Sequence, residues 1–278
     1  MEILEVNKET CNSCGICVAI CPNGIIDFSD QTYPRGTALT EKFCSTCGHC
    51  VAACPTGSLS HRGMSVSECP PIQRALKISA AQIDHLIKSR RSIRAYQDKP
   101  VPRDTLTHLI EVARFAPTGH NTQTVQWMVI DNKEVLQRFT EIGNDWMRWR
   151  IKSKSGPFRF PNELEWFEVM LKRYEKGENE FLRDPPALIV THSQKDDHAA
   201  TASCTIALAY LDLAANSSGL GCCWLGLFNM VASTYPPMIK ALGLPEGHKP
   251  FGSITVGYPK YKYQRIPTRK APPIIWHP

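Results

Sequence analysis

Eight of the twelve cysteines fall into one pattern written twice. The first copy is Cys11-x2-Cys14-x2-Cys17-x3-Cys21-Pro22, and the second, 33 positions on, is Cys44-x2-Cys47-x2-Cys50-x3-Cys54-Pro55. Gly15, Val18, Ala19 and Gly24 recur at the same offset as Gly48, Val51, Ala52 and Gly57, so the segment is an internal duplication. The opening Met1-Glu2-Ile3-Leu4-Glu5 has neither the basic nor the apolar region of a secretory signal, and the expected location is cytoplasmic. Thiols there rarely persist as disulfides, which turns the expectation to metal binding or redox chemistry. Two tetrahedral zinc sites would need only paired Cys-x2-Cys units and would leave the third and fourth cysteine of each run without a role. Three thiolates at this tight spacing wrap one face of a cube of iron and sulfide, while the fourth lies just too far along to close the same cube.

Residues 1 to about 65 therefore resemble the bacterial two-[4Fe-4S] ferredoxin family, in which the fourth cysteine crosses to the other cluster. The resemblance implies that Cys11, Cys14, Cys17 and Cys54 hold one cluster and that Cys44, Cys47, Cys50 and Cys21 hold the second. Cys69, Cys204, Cys222 and Cys223 lie outside the repeat and are expected as small core residues, with His49 a loop residue.

A chain of 278 residues with 42% hydrophobic and 21% charged residues has room for a second, larger core. Its longest uncharged stretch, Leu213 to Ile239, is interrupted by Asn216, Ser217, Ser218, Asn229, Pro236 and Pro237, so no membrane span is expected. A polar segment ending in Pro70-Pro71 reads as a linker, giving a ferredoxin-like domain at 1–68, a linker at 69–79 and a second domain at 80–278. There, Ser79-Ala80-Ala81-Gln82 is a capping box opening a helix that ends near Ser89. A second helix is expected from about Pro102, stopped by Pro117, and longer ones over Glu163 to Lys176 and Ala199 to Ser217. Strands are expected at Val125 to Ile130, Ala187 to Thr191 and Ser253 to Gly257. Helices and strands interspersed in this way read as a mixed domain around one sheet, and the whole chain as α+β.

No nucleotide fingerprint is present, since Gly219-Leu220-Gly221 lacks a third glycine and no Lys follows Gly226. What could grip a phosphate is Arg90-Arg91-Ser92-Ile93-Arg94 at a helix end. With Ala113-Arg114-Phe115-Ala116-Pro117-Thr118-Gly119-His120-Asn121-Thr122-Gln123, then Ser218 to Gly221, Trp224-Leu225-Gly226 and Val256 to Pro259, it resembles the FMN-dependent nitroreductase family over about residues 80–273. The resemblance implies an α/β/α domain, its central mixed, mainly antiparallel sheet flanked by helices, in an intertwined homodimer with FMN at the interface. It further implies that Arg90, Ser92 and Arg94 hold the FMN phosphate and ribityl chain and that Arg269 reaches the same phosphate from the far end of the chain, with Arg91 and Arg265 counted among the cofactor-binding residues. Pro117, Thr118, Asn121 and Gln123 would lie by the flavin ring, and Trp224, Leu225 and Gly226 would line it through main-chain groups. Thr124 follows Gln123 where the family usually has Pro, Thr118 replaces a common Ser, and Gly226 occupies a position that is Glu in some members.

The formal charge of +6 falls to about +2 once two clusters of about −2 each are counted, and the FMN phosphate lowers it further, which leaves no case for nucleic-acid binding. The two resemblances together imply a flavin oxidoreductase in which a low-potential donor such as reduced ferredoxin feeds the clusters, the clusters feed FMN, and a small-molecule organic acceptor is reduced. That acceptor would be a nitroaromatic, a quinone or an activated alkene. NAD(P)H is the competing donor; reductive dehalogenation, flavin breakdown, an electron carrier and a redox sensor are the competing roles. The basic run Arg148, Arg150, Lys152, Lys154, Arg159, interleaved with Trp149, Phe158 and Phe160, reads as a solvated helix or loop, or else as a lid or docking patch. No acid–base residue is assigned beyond the position of His120 beside Asn121.

Overall fold

The computed structural model describes residues 2–155 and 159–277, and the chain separates into two compact units. One comprises the residues up to Lys77 together with Gly119–Thr122; the other comprises Ile78–Thr118 and the chain from Gln123 onward.

The first unit runs β1 (Leu4–Val6), α1 (Ile16–Ala19), β2 (Ile26–Asp27), β3 (Arg35–Gly36), α2 (Ala38–Phe43), α3 (His49–Ala52) and β4 (Leu59–His61). β1 pairs antiparallel with β4, and β2 with β3. The duplication is written into the backbone. Ser13 and Thr46, Gly15 and Gly48, Gly24 and Gly57 are pairs at the repeat offset, and all six residues adopt left-handed φ. Gly48 is needed twice over, because its φ is +72° and a Cβ there would stand 2.8 Å from Met64 Sδ. The core of this unit is small: Ile3, Leu4, Cys17, Ile26 and Leu59, with Cys21, Cys44, Cys50 and Cys54 packed against it. So few aliphatic side chains offset little of the ordering entropy of such a segment, and bound metal is expected to be part of what folds it.

The second unit runs α4 (Ala80–Ser89), α5 (Arg103–Ala113), β5 (Gln126–Ile130), α6 (Lys133–Ser153), α7 (Glu163–Tyr174), β6 (Ala187–Gln194), α8 (Ala200–Ser217), β7 (Gly221–Trp224), α9 (Gly226–Thr234), α10 (Pro236–Leu242) and β8 (His248–Gly257). The sheet order is β5-β6-β8-β7, and every described pairing is antiparallel, so the mixed component of the expected sheet is not found among the described strands. Successive side chains on a strand face opposite ways, and β6 divides accordingly. Leu188 and Val190 join Phe139, Met147, Phe167 and Phe228 of α6, α7 and α9 on one face. Ala187 and Ile189 join Leu106, Leu109, Leu208 and Leu211 of α5 and α8 on the other. The result is the helix–sheet–helix layering that the resemblance implies. Of the cysteines outside the repeat, Cys204, Cys222 and Cys223 are buried, as expected, and Cys69 is partly exposed.

The basic run 148–159 turns out differently from a solvated face. Its first half is the end of α6, started by Asn132, whose side chain accepts from the N–H groups of Glu134 and Val135. Arg150 is 4% exposed and its guanidinium meets Glu163 at 3.3 Å; Arg159 bonds the same carboxylate, whose residue is 1% exposed. The acid that neutralises the run lies just beyond its end, on the next helix, and Arg148 pairs with Asp145 one turn earlier. Phe158 lies outside the described residues.

Candidate metal and cofactor sites

In the first unit two small cavities open among the cysteines. One is lined by Cys11, Cys14, Cys17 and Cys54, the other by Cys21, Cys44, Cys47 and Cys50. Each therefore takes three thiols from one run and the fourth from the other. Among the described residues no three His, Cys, Asp or Glu side chains come close enough to share a single metal ion. Burial pushes the Cys50 thiol up to about 11 and raises Cys17 as well, with neighbouring cysteines adding to both effects. Such thiols need a nearby cationic centre to be held as thiolates, and cluster iron is one. Cys54 differs: burial raises it, but donors from Thr56, Ser58 and Leu59 outweigh that and hold the thiol below its usual value. Ser58 N–H lies 3.3 Å from Cys54 Sγ and Thr56 Oγ1 3.6 Å.

In the second unit the Arg90–Arg94 segment is held along β7. Arg90 N–H closes the last turn of α4, Ile93 N–H donates to Cys222 O at 2.8 Å, and the Tyr96 hydroxyl donates back to Ile93 O. Gly221 makes the approach possible, because a Cβ there would overlap Ile93 and lie 3.1 Å from Pro259 Cγ. Asp212 on α8, which the sequence reading missed, ties two predicted groups together. It accepts from Trp224 Nε1 at 3.0 Å and from Arg90 at 3.4 Å. Burial raises the Asp212 carboxyl, while Trp224 and Arg90 pull against that shift. A lone acid in an otherwise apolar helical pattern was the signal that could have found it. Arg91 donates to Lys88 O, yet its Nε is sealed from solvent with no partner, an unmet donor of the kind an anionic group fills. Arg94 is exposed, and its charge reaches the buried Cys223.

Thr118 Oγ1 accepts from Gln123 N–H at 3.0 Å, closing a turn in which His120, Asn121 and Gln123 all take left-handed φ. His120 and Pro117 are exposed. Asn121 belongs by its contacts to the cysteine unit, where its amide donates to Ser45 O at 3.2 Å and to Thr46 O at 3.0 Å. Trp224 ends β7, Leu225 is buried, and Gly226 begins α9 with open space where a side chain would be. Arg265 and Arg269 sit on an exposed segment after Tyr258, and among the described residues no bond joins them to Arg90–Arg94. A larger cavity of about 440 Å³ lies elsewhere, between Tyr96–Pro100, the start of α6 and Asn179–Pro186.

Residues 87–258 match the model of the nitroreductase family, and residues 10–58 that of the 4Fe-4S dicluster domain. The chain belongs to the nitroreductase family. A Methanothermobacter thermautotrophicus protein with a provisional NADH dehydrogenase/NAD(P)H nitroreductase name is 25% identical over 187 residues, 66% of this chain and 80% of its own. An iodotyrosine deiodinase from Thermotoga neapolitana is 24% identical over 136 residues, 49% of this chain and 69% of its own. Among solved structures, a Bacteroides fragilis nitroreductase with bound FMN shares the fold at a TM-score of 0.55 and 22% identity, covering 70% of this chain and 99% of that one. Among the described residues no helix is long and apolar enough to cross a membrane.

Proposed function

We propose that this chain is a cytoplasmic, FMN-dependent oxidoreductase whose electrons come from a low-potential protein donor such as reduced ferredoxin. The reading is carried by the two thiol-lined cavities, each drawing on both cysteine runs, in the same chain as a nitroreductase-family unit. A nitroreductase that takes hydride from NAD(P)H directly has no need of clusters, so the clusters point to single-electron supply. When bound, the two clusters would carry electrons one at a time and FMN would pair them for a two-electron reduction of a nitroaromatic, quinone or activated alkene.

Cys11, Cys14, Cys17 and Cys54 would hold one cluster, and Cys21, Cys44, Cys47 and Cys50 the other. Arg91 offers the unmet donor for the FMN phosphate, Arg90 is steadied by Asp212, and Trp224 is fixed by the same carboxylate. Residues 260–277 are exposed throughout and carry Ile275 and Trp276 at 95% and 85% exposure, which supports a homodimer in which this segment packs on a second copy and delivers Arg265 and Arg269. The deiodinase relative favours reductive dehalogenation as the second reading.

The test is anaerobic turnover of a nitroaromatic and of an iodinated phenol, driven by reduced ferredoxin or by NADH, in the intact protein and in Cys14→Ala/Cys21→Ala. Ferredoxin-driven turnover is expected in the first and lost in the second. Equal ferredoxin-driven rates in both would overturn the proposal, and the preferred acceptor decides between the readings.

A further inference from the structure

The duplication lets each half serve as a control for the other. Position 61 is the image of position 28 at the repeat offset, and the two differ: the second half carries His61 and the first Phe28. His61 is buried at the end of β4, opposite Leu4 of β1. Its backbone is fixed on both sides, the N–H to Met64 O at 3.0 Å and the carbonyl to Met64 N–H at 2.7 Å. The ring is fixed as well, because Nδ1 accepts the Gly63 N–H at 2.9 Å. A neutral imidazole has one N–H, so an accepting Nδ1 leaves the proton on Nε2. Nε2 stands 3.6 Å from Cys44 Sγ, and the hydrogen bond therefore runs from His61 to sulfur.

Among the described residues nothing equivalent is found in the first half. Phe28 has no donor, and its ring lies over Gly15, where an added Cβ would meet it at 3.4 Å. The donors to the first cluster's set act on Cys54, the cysteine it takes from the second run, from Ser58 and Thr56. Among the described residues neither image position bonds Cys21: the Asn23 side-chain amide is turned to Phe43 O, and no hydrogen bond joins the Ile25 N–H to Cys21 Sγ as the Ser58 N–H joins Cys54 Sγ. The halves thus keep the cysteine spacing and differ in the groups that donate to sulfur.

We propose that His61 is a positioning residue that sets the reduction potential of one cluster, the one held by Cys21, Cys44, Cys47 and Cys50, apart from that of the other. The proposal rests on the ligand sets given above. An N–H aimed at a ligand sulfur stabilises the extra negative charge of the reduced cluster and raises its potential. A buried, doubly anchored donor does so without the geometric averaging of a solvent-exposed one.

The experiment is a redox titration of the loaded, full-length protein followed by electron paramagnetic resonance, with Cys44→Ala used to assign the signal. His61→Phe installs the residue of the other half, and His61→Gln keeps an N–H donor. In His61→Phe the assigned cluster should show about a tenfold lower reduced-to-oxidised ratio at a fixed potential, equivalent to about 59 mV for one electron. The other cluster should stay put, and His61→Gln should recover most of the shift. If His61→Phe does not load, pulsed resonance on unaltered protein with ring-15N histidine should show a 15N coupling and an exchangeable proton on that cluster alone. An unmoved midpoint, equal movement of both clusters, or the absence of the 15N coupling would overturn the role of His61. Survival of both signals in Cys44→Ala would instead overturn the ligand sets.

Discussion

Replacing Glu163 by Ala removes one carboxylate from between two guanidinium groups, and the burial of the three residues sets the cost. The Glu163 side chain is 0% exposed and that of Arg150 5%, whereas Arg159 is 33% exposed. Arg159 can turn to water, so its share is small. Arg150 cannot: it lies over the Trp146 ring and would lose the Glu163 carboxylate as its counter-charge, a defect that costs about 3–5 kcal/mol. In a unit of this size each kcal/mol moves Tm by about 2–4 °C, so the melting of the nitroreductase-family unit should fall by about 6–20 °C. Differential scanning calorimetry on the flavin-loaded protein reads this directly, with the cysteine unit's transition as an internal control. Replacing both partners, as Arg150→Met with Glu163→Leu, should restore most of the loss, because two apolar groups remove the buried charges altogether. A single variant within about 2 °C of the parent, or a double variant as unstable as the single, would refute the reasoning.

Three further outcomes follow from the same geometry. Cys14→Ala and Cys54→Ala, though 40 positions apart, should each abolish the same resonance signal and about half of the iron, and their double variant should lose no more than either; loss of different signals would contradict the crossed ligand sets. Gly221→Ala should push the Ile93 backbone off β7, destabilise the unit by about 1–3 kcal/mol in urea unfolding and weaken flavin retention, and an unchanged flavin content would contradict it. Asp212 has a raised folded-state pKa, so its ionisation costs more in the folded than in the unfolded protein. Relative to Asp212→Asn, the parent should therefore lose stability as pH rises from the ordinary carboxylate value through the raised one and level off above it, measured by urea unfolding across that range; a difference that grows the other way would contradict the assignment.

The cysteine unit was the most legible part of the chain, because cluster chemistry leaves a spacing that little else needs, and the crossed linings of the two cavities follow that spacing. The capping box at Ser79, the helix stopped ahead of Pro117 and the apolar strand at Ala187 were legible for a similar reason: capping, backbone sterics and burial act over a few residues. What stayed hidden depends on partners distant in sequence. β7 is four residues with two cysteines and a glycine, an apolar pattern that only the pairing with β8 turns into a strand. Arg150 looked solvated because its acid lies 13 positions on, brought back by the pairing of α6 with α7. Asp212 was passed over inside an apolar helix, although its link to Arg90 spans 122 positions. Asn121 carries a family motif, but its amide bonds the loop between Cys44 and Cys47, a contact no local pattern announces.

The central claim is that electrons pass from the clusters to the flavin and on to an organic acceptor. Anaerobic stopped-flow absorbance on iron- and FMN-replete protein, mixed first with reduced ferredoxin and then with a nitroaromatic, tests it most directly. The account predicts that cluster bleaching precedes flavin reduction and that the acceptor reoxidises the flavin through repeated cycles. Flavin reduction by NADH with the clusters unchanged, or a reduced flavin that no small acceptor reoxidises, would contradict it.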